Sequence, residues 1–170
     1  VNINPAYRLR ELDYVLQQSG ISVLVTARGF RSTDYVGMLV ELVPELKSGT
    51  TGALDAVRLP DLRHVVYLGV DPQPGGLAWP DLLNLGDDVR ITRLRERESE
   101  LQFDDPVNIQ YTSGTTGSPK GATLSHHNIL NNGFFVGEML RYTDRDRICT
   151  PVPFYHCFGC GANGSAISFL

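Results

Sequence analysis

Apolar residues recur at Leu9, Leu12, Val15 and Leu16, the spacing that places them on one face of a helix, and Gly20 stands where that helix would stop. The period then changes. Residues 21–26 form a short β-branched run that predicts a strand. Ser32 is placed to cap a second helix carrying Tyr35, Val36, Leu39, Val40 and Val43, which should end near Pro44. Residues 47–52 read as a loop, 64–68 as a second strand, the proline- and glycine-rich residues 71–76 as another loop, and 79–85 as a short helix. Residues 107–111 and 122–125 predict two further strands. Ser125 or His126 then opens a helix whose apolar positions include Ile129, Leu130, Phe134, Val136, Met139 and Leu140. Residues 147–153 predict one more strand, and the last segment starts another helix.

Alternating strands and helices of this kind predict an α/β fold: a mixed, largely parallel sheet flanked by helices. Ligands on such sheets sit beyond the carboxyl ends of strands. Two charged stretches have both a functional and a bland reading. Arg93, Arg95, Glu96, Arg97, Glu98 and Glu100 could form an anion site, but mixed signs at close spacing favour a solvated helix or loop. Asp104 and Asp105 could serve a metal or acid/base chemistry, but directly before Pro106, with no further carboxylate nearby, they favour the end of a loop.

Composition narrows the class. The chain has 170 residues, 42% hydrophobic and 20% charged, enough for one ordinary α/β domain with a core. A net charge of −4 gives no electrostatic basis for nucleic-acid binding. No apolar run is long enough to span a bilayer. Cys149, Cys157 and Cys160 are odd in number and clustered, which argues against a disulfide framework and for a reducing compartment such as the cytoplasm. Cys157-Phe158-Gly159-Cys160 has redox or zinc spacing, yet only His156 and Cys149 are near as further ligands, so buried free thiols are expected. The chain opens at Val1 inside an apolar stretch and closes on Ile167-Ser168-Phe169-Leu170 without a helix stop. It is therefore expected to be a piece of a longer protein, with apolar surface exposed near both ends.

The chemistry concentrates in Tyr111-Thr112-Ser113-Gly114-Thr115-Thr116-Gly117-Ser118-Pro119-Lys120-Gly121. Small, flexible and hydroxylic residues surround a single cation, and packing does not explain them. Gly114 and Gly117 let the backbone turn sharply and approach a ligand. Consecutive amides in such turns form a nest for phosphate oxygens. Thr112, Ser113, Thr115, Thr116 and Ser118 add hydroxyls, and Lys120 adds a compact positive charge. The order Pro119-Lys120-Gly121 excludes a Walker-type phosphate loop, in which Lys directly follows Gly at a helix start. Because the residue before a proline is driven to extended geometry, Lys120 is expected on an extended arm leading into a strand. The plain alternative is a Gly/Ser/Thr turn of a β-hairpin. A second unusual stretch, Pro151-Val152-Pro153-Phe154-Tyr155-His156-Cys157-Phe158-Gly159, stiffens the backbone with prolines and surrounds one histidine with aromatics. It reads equally as a gate over an apolar pocket or as a structural histidine.

Together these segments resemble the adenylate-forming enzyme superfamily and, within it, the fatty acyl-CoA synthetases, the AMP-binding acyl-CoA ligases. The glycine loop matches that family's signature without a gap. Thr123-Leu124-Ser125-His126-His127-Asn128 and residues 151–159 resemble its following blocks, and Asn4-Pro5-Ala6-Tyr7, Glu11-Leu12-Asp13-Tyr14 and Ser19-Gly20 resemble its early region. Arg58-Leu59-Pro60-Asp61-Leu62 and residues 104–110 are similar to the medium-chain branch.

The resemblance implies one partial AMP-binding domain over residues 1–170, with the family's C-terminal domain absent. It implies an ATP-dependent fatty acid–CoA ligase that makes an acyl-adenylate and pyrophosphate, then a coenzyme A thioester. The phosphate-binding segment carries over onto Thr112, Ser113, Gly114, Thr115, Thr116, Gly117, Ser118, Pro119 and Lys120. Mg²⁺ is implied as cofactor, with Thr115 as the hydroxyl nearest it. His156 matches a histidine beside the acyl pocket and α-phosphate, so Lys120 and His156 are the implied catalytic pair. His126 matches a structural histidine at a helix start, and His127 is expected at the surface. The implied partners are a fatty acid or other carboxylic acid, ATP and coenzyme A, with a homodimer of the longer protein and peripheral membrane association as further expectations. Two other readings stay open: another adenylating enzyme, acting on aryl or amino acids, and a nucleotide-binding module without chemistry. The family's adenine, ribose and acidic Mg²⁺-binding segments, and its C-terminal lysine, have no counterpart in these residues. The isolated chain is accordingly expected to release pyrophosphate from ATP and fatty acid only at background rate. Turnover like that of an intact synthetase in a pyrophosphate assay would overturn this.

Overall fold

Strand β4 (His64–Leu68, sequence HVVYL) reads as a continuous apolar run because both of its faces are covered, and it forms the middle of a three-stranded sheet. In the computed structural model, which describes residues 1–48, 54–71, 73–87, 89–112 and 117–159, the chain divides into two compact units, Pro5–Ser99 and Val1–Asn4 with the residues from Glu100 onward. The sheet belongs to the first unit. β1 (Val23–Ala27) pairs with β4 in parallel, from Val23 opposite His64 to Ala27 opposite Leu68, and β4 pairs in parallel with the short β5 (Leu77–Ala78).

Helices pack against this sheet. α1 (Leu9–Ser19) buries Leu12, Val15 and Leu16 and ends at Gly20, whose φ of 57° is the left-handed conformation that favours glycine. A two-residue-turn hairpin of β2 (Gly29–Phe30) and β3 (Thr33–Asp34) then leads into α2 (Tyr35–Leu42). Asp34, not Ser32, caps α2: its Oδ1 accepts the Gly37 N–H at 3.0 Å. Ser32 is consumed by the hairpin turn, and pairing of Gly29 with Asp34 makes Asp34 the last extended residue before the helix. The helix stops before Pro44, which opens a 3₁₀ turn (Pro44–Lys47) that reaches the first residue of the stretch read as loop, 47–52; residues 49–52 of that stretch lie outside the described residues. Val15, Leu39, Leu42, Val43, Leu46, Leu62, Val65 and Val66 are essentially inaccessible and form the core. Each such side chain contributes about 1.5–3 kcal/mol relative to exposure. Tyr67 is buried with them. Its hydroxyl donates to the Pro74 carbonyl at 3.2 Å, and burial raises its pKa.

Two further helices are α3 (Trp79–Asp87) and α4 (Ile91–Glu100). α4 buries no side chain, as its mixed charges predict. In the second unit, β6 (Pro106–Thr112) and β7 (Lys120–Ser125) form an antiparallel hairpin, with Asn2 bridged in parallel to Gln110. α5 (His126–Leu140) follows at once. It leaves Phe135 60% and Met139 84% exposed, alongside Leu130, Phe134 and Leu140, the apolar surface expected toward this end.

Three expectations are corrected. The glycine loop follows the strand predicted over 107–111, but that strand lies outside the predicted largely parallel sheet, because β6 pairs antiparallel with β7 in a sheet of its own. Residues 147–153 are not a strand: Pro151 and Pro153 cannot donate to a ladder, and the segment has no strand partner among the described residues. Cys149 and Cys157 are exposed thiols, not buried ones, because the unpaired segment carries them along the surface. Cys160 lies outside the described residues, and of the final helix only the turn starting at Cys157 is described.

One surface contact is well formed. Arg58 donates from Nε to Asp13 Oδ1 at 2.9 Å and from Nη2 to Oδ2 at 2.7 Å, tying a loop to α1. The guanidinium holds the Asp13 carboxyl below the ordinary carboxylate value, and the carboxylate raises Arg58 in return. A depressed folded pKa means that the stabilisation is present above the unfolded value of about 3.9 and is lost as pH falls through the folded one. Asp13→Asn is therefore expected to lower the denaturant midpoint slightly at pH 7 and not at pH 2. An equal effect at both pH values in denaturation curves would show that the pair adds nothing.

Candidate functional site

β6 presents two chemically different faces. Asn108, Gln110 and Thr112 alternate with Ile109 and Tyr111, so polar side chains share one side and apolar ones the other. On the apolar side Tyr111 stands opposite Gly121. A β-carbon added at Gly121 would lie 3.1 Å from Ile109 Cγ2 and 3.3 Å from the Tyr111 ring, so glycine lets the ring lie across the partner strand. On the polar side Gln110 is only 3% exposed, and both its amide atoms lack a hydrogen-bond partner among the described residues. The buried Gln110 was not anticipated as a site residue. The available signal was the polar-apolar alternation of residues 108–112.

The loop springs from the end of this ladder. Thr112 and Lys120 are its last register pair, and Thr112 Oγ1 donates to the Lys120 carbonyl at 3.4 Å. Ser113, Gly114, Thr115 and Thr116, and with them the metal assignment to Thr115, lie outside the described residues. Gly117 has φ 94°, a conformation that side chains disfavour. Ser118 bends into Pro119, and Lys120 is the first residue of β7, on the extended arm expected from Pro119. The loop therefore has both the hairpin geometry of the plain alternative and the residue set of a phosphate cradle. Thr112, Ser118 and Lys120 are exposed at one end of the hairpin, where the Ser118 hydroxyl and the Lys120 ammonium are open to an anion and the Thr112 hydroxyl becomes so once it releases the Lys120 carbonyl.

The other end of β7 is anchored. Ser125 Oγ accepts the Asn128 N–H at 3.3 Å, and Asn128 Oδ1 accepts the Ser125 N–H at 3.0 Å, a reciprocal cap that starts α5. Asp105 closes a turn by accepting the Gln102 N–H at 2.8 Å, and its carbonyl accepts the His126 N–H at 3.3 Å. Asp105 thus terminates a loop, as expected, and His126 sits at the helix start in a structural place. His127 is exposed, 4.0 Å from Asp104 and 5.5 Å in ring separation from Phe103.

His156 belongs to a separate turn. Its N–H donates to the Pro153 carbonyl at 3.0 Å, and its Nδ1 accepts the Phe158 N–H at 3.2 Å. A backbone N–H can only donate, so the neutral ring carries its proton on Nε2. The exposed ring is held by its own turn and presents an Nε2–H donor outward. Gly159 closes the turn: a β-carbon there would meet the Pro153 carbonyl oxygen at 2.5 Å. Among the described residues no three His, Cys, Asp or Glu side chains gather.

Known proteins are similar to this chain in sequence and in fold. The model of the family described as "AMP-binding enzyme" matches residues 1–168. The mitochondrial medium-chain acyl-CoA ligase ACSF2 of Danio rerio is 45% identical over 166 residues, covering 96% of this chain and 27% of that protein. The Homo sapiens protein of the same name is 42% identical over 164 residues, 94% of this chain and 26% of its own length. The chain thus spans about a quarter of the curated relatives it matches. The crystal structure of ATP-bound MatB from Rhodopseudomonas palustris superposes with a TM-score of 0.62 at 24% identity, covering 98% of this chain and 27% of that one, a likeness of fold.

Removing the Ser125 cap should loosen the junction between β7 and α5. Ser125→Ala is expected to cost about 1 kcal/mol of unfolding free energy. A change below a few tenths in denaturant unfolding would show that Asn128 alone suffices.

Proposed function

The chain belongs to the AMP-binding enzyme family, and on that premise we propose that it forms part of the adenylating site of an ATP-dependent fatty acid–CoA ligase. The observation that carries the proposal is the hydroxyl- and glycine-rich connection between β6 and β7, which sets Lys120 opposite Thr112 at an exposed hairpin end. The 45% identity to a medium-chain acyl-CoA ligase supports a fatty acid as the carboxylate, and the ATP in the bound MatB structure supports ATP as the nucleotide.

In the first half-reaction a carboxylate oxygen attacks the α-phosphorus of ATP, and the bond from that phosphorus to the bridging oxygen breaks. Acyl-adenylate forms and pyrophosphate leaves. Charge grows on the departing pyrophosphate, where Lys120, the hydroxyls of Thr112 and Ser118 and the loop amides stabilise it. Mg²⁺, when bound, neutralises part of the same phosphate charge. His156, with Nδ1 engaged by Phe158, offers Nε2–H as a fixed donor toward the α-phosphate oxygens, a positioning and electrostatic role. In the second half-reaction the coenzyme A sulfur attacks the acyl carbonyl, loses its proton, and AMP departs.

Cytoplasmic residence with peripheral membrane association, and a homodimer of the full-length protein, belong to the same proposal. Among the described residues no helix is long and apolar enough to cross a membrane. In the full-length protein, Lys120→Ala is expected to lower carboxylate-dependent pyrophosphate exchange about 10²-fold while fatty-acid affinity stays within a factor of three. His156→Ala should slow exchange with an unchanged melting temperature. Exchange that survives the Lys120 change, or unfolding of the His156 variant, would sink the corresponding role.

A further inference from the structure

Among the described residues the buried side chains are apolar or aromatic except that of Gln110, which is 3% exposed with neither Oε1 nor Nε2 hydrogen-bonded. Its neighbours in the ladder do not meet it. Ala122, opposite on β7, has no polar side-chain atom, and Asn2, bridged to the other edge of β6, leaves both amide atoms of Gln110 without a partner. A carboxamide offers two donors and an acceptor, so burying it unmet is unfavourable. Packing alone would favour an apolar side chain of the same length.

What Gln110 can reach is set by the strand. Residues two apart share a face and lie about 6.5 Å apart along it. The residue two places on is Thr112, the last of β6, and a glutamine side chain spans most of that interval. Thr112 is loosely held. Its Oγ1 donates to the Lys120 carbonyl at 3.4 Å, longer than a well-formed O–H···O bond. A hydroxyl has one proton to give, and once that proton turns to an anion the oxygen still has lone pairs open to a donor. Neither end of the Gln110 amide is engaged, so it turns toward Thr112 without breaking a hydrogen bond.

We propose that Gln110 is a positioning residue for the anion loop: in the nucleotide-bound protein its Nε2–H donates to Thr112 Oγ1 and aims the threonine proton at a phosphate oxygen. Donation into the hydroxyl oxygen fixes the Thr112 rotamer and polarises its O–H, which strengthens the bond to a charged acceptor. Because the amide is buried, water does not compete for it. Gln110 touches no substrate itself; it acts through Thr112. This inference rests on the reading of the loop as the phosphate side of an adenylating site.

The test is carboxylate-dependent pyrophosphate exchange by the full-length protein, with melting temperatures measured beside it. Gln110→Met keeps the length of the side chain and removes the amide. It is expected to raise KM for ATP about fivefold, the loss of one hydrogen bond, to leave KM for the fatty acid unchanged and to raise the melting temperature. Gln110→Leu should behave alike. Thr112→Val should raise KM for ATP at least as much, and adding Gln110→Met to it should change that value no further, because the amide acts through the hydroxyl. Higher stability with weaker ATP binding is a divergence that a merely structural glutamine would not give. An unmoved KM for ATP in both Gln110 variants, additive effects in the double variant, or a melting temperature that falls with loss of the amide overturns the proposal. Failure of the underlying reading shows separately: exchange that survives Lys120→Ala sinks that reading, whereas exchange that needs Lys120 but not the Gln110 amide sinks this inference alone.

Discussion

The antiparallel pairing of β6 with β7 sets the geometry on which the candidate site depends. Side chains alternate along a strand, so a one-residue slip would turn every side chain to the opposite face. Tyr111 across Gly121 opposes such a slip, because any other residue there would crowd the ring with a β-carbon at 3.3 Å. With that pair fixed, Thr112 must face Lys120, and the loop between them starts and ends at a defined width. The far end of the hairpin is held as firmly. Ser125 and Asn128 cap α5 reciprocally, and Asp105 receives the first amide of that helix on its carbonyl. The lysine is thus placed by backbone pairing on a strand, a more rigid support than a free loop would give.

The same hairpin carries a cost. Gln110 buries an amide whose polar atoms find no partner among the described residues, and a group of that kind costs about 1–3 kcal/mol when left unsatisfied. Its strand neighbour two places on, Thr112, opens the loop. An apolar residue would suit that burial better, so packing within the hairpin does not explain the glutamine. In the other unit Arg31 holds a positive φ of 53° in the turn between β2 and β3.

What was legible in the sequence follows from which force fixes each element. β4 was read to the residue because a strand buried on both faces has only one composition open to it. The stop of α1 at Gly20 and the exposure of α4 were equally plain, one from a conformation that favours glycine, the other from charges that cannot be buried. The cap of α2 was misplaced because Ser32 and Asp34 are both good caps, and strand pairing between Gly29 and Asp34 decided between them. That pairing is not visible in local propensity. Residues 147–153 look apolar enough for a strand, but two prolines deny them a ladder, and the thiols in and beside that segment are left at the surface. For the site, Lys120 on an extended arm was legible from Pro119 alone. The buried Gln110 was not, because burial of a polar residue in a hairpin depends on what covers it. The loop's centre, residues 113–116, lies outside the described residues, so its nest of amides rests on the residue types.

A hairpin turn and a phosphate cradle are alternative readings of this loop, and the pairing of Thr112 with Lys120 is compatible with both. A plain hairpin needs two to five connecting residues and one or two glycines. Seven residues lie between Thr112 and Lys120, of which only Gly117 has a described backbone requirement for glycine. The hairpin accounts for where the loop begins and ends, and for Gly121 beside it. It does not account for five hydroxyl side chains over residues 112–118, none of which the ladder needs beyond Thr112. An anion does account for them, because hydroxyls and turned amides are the neutral donors that can crowd around phosphate without repelling one another, while one lysine supplies the charge. Pairing fixes the loop's two ends, and on the proposed reading the residues in excess of pairing are the ones left to bind.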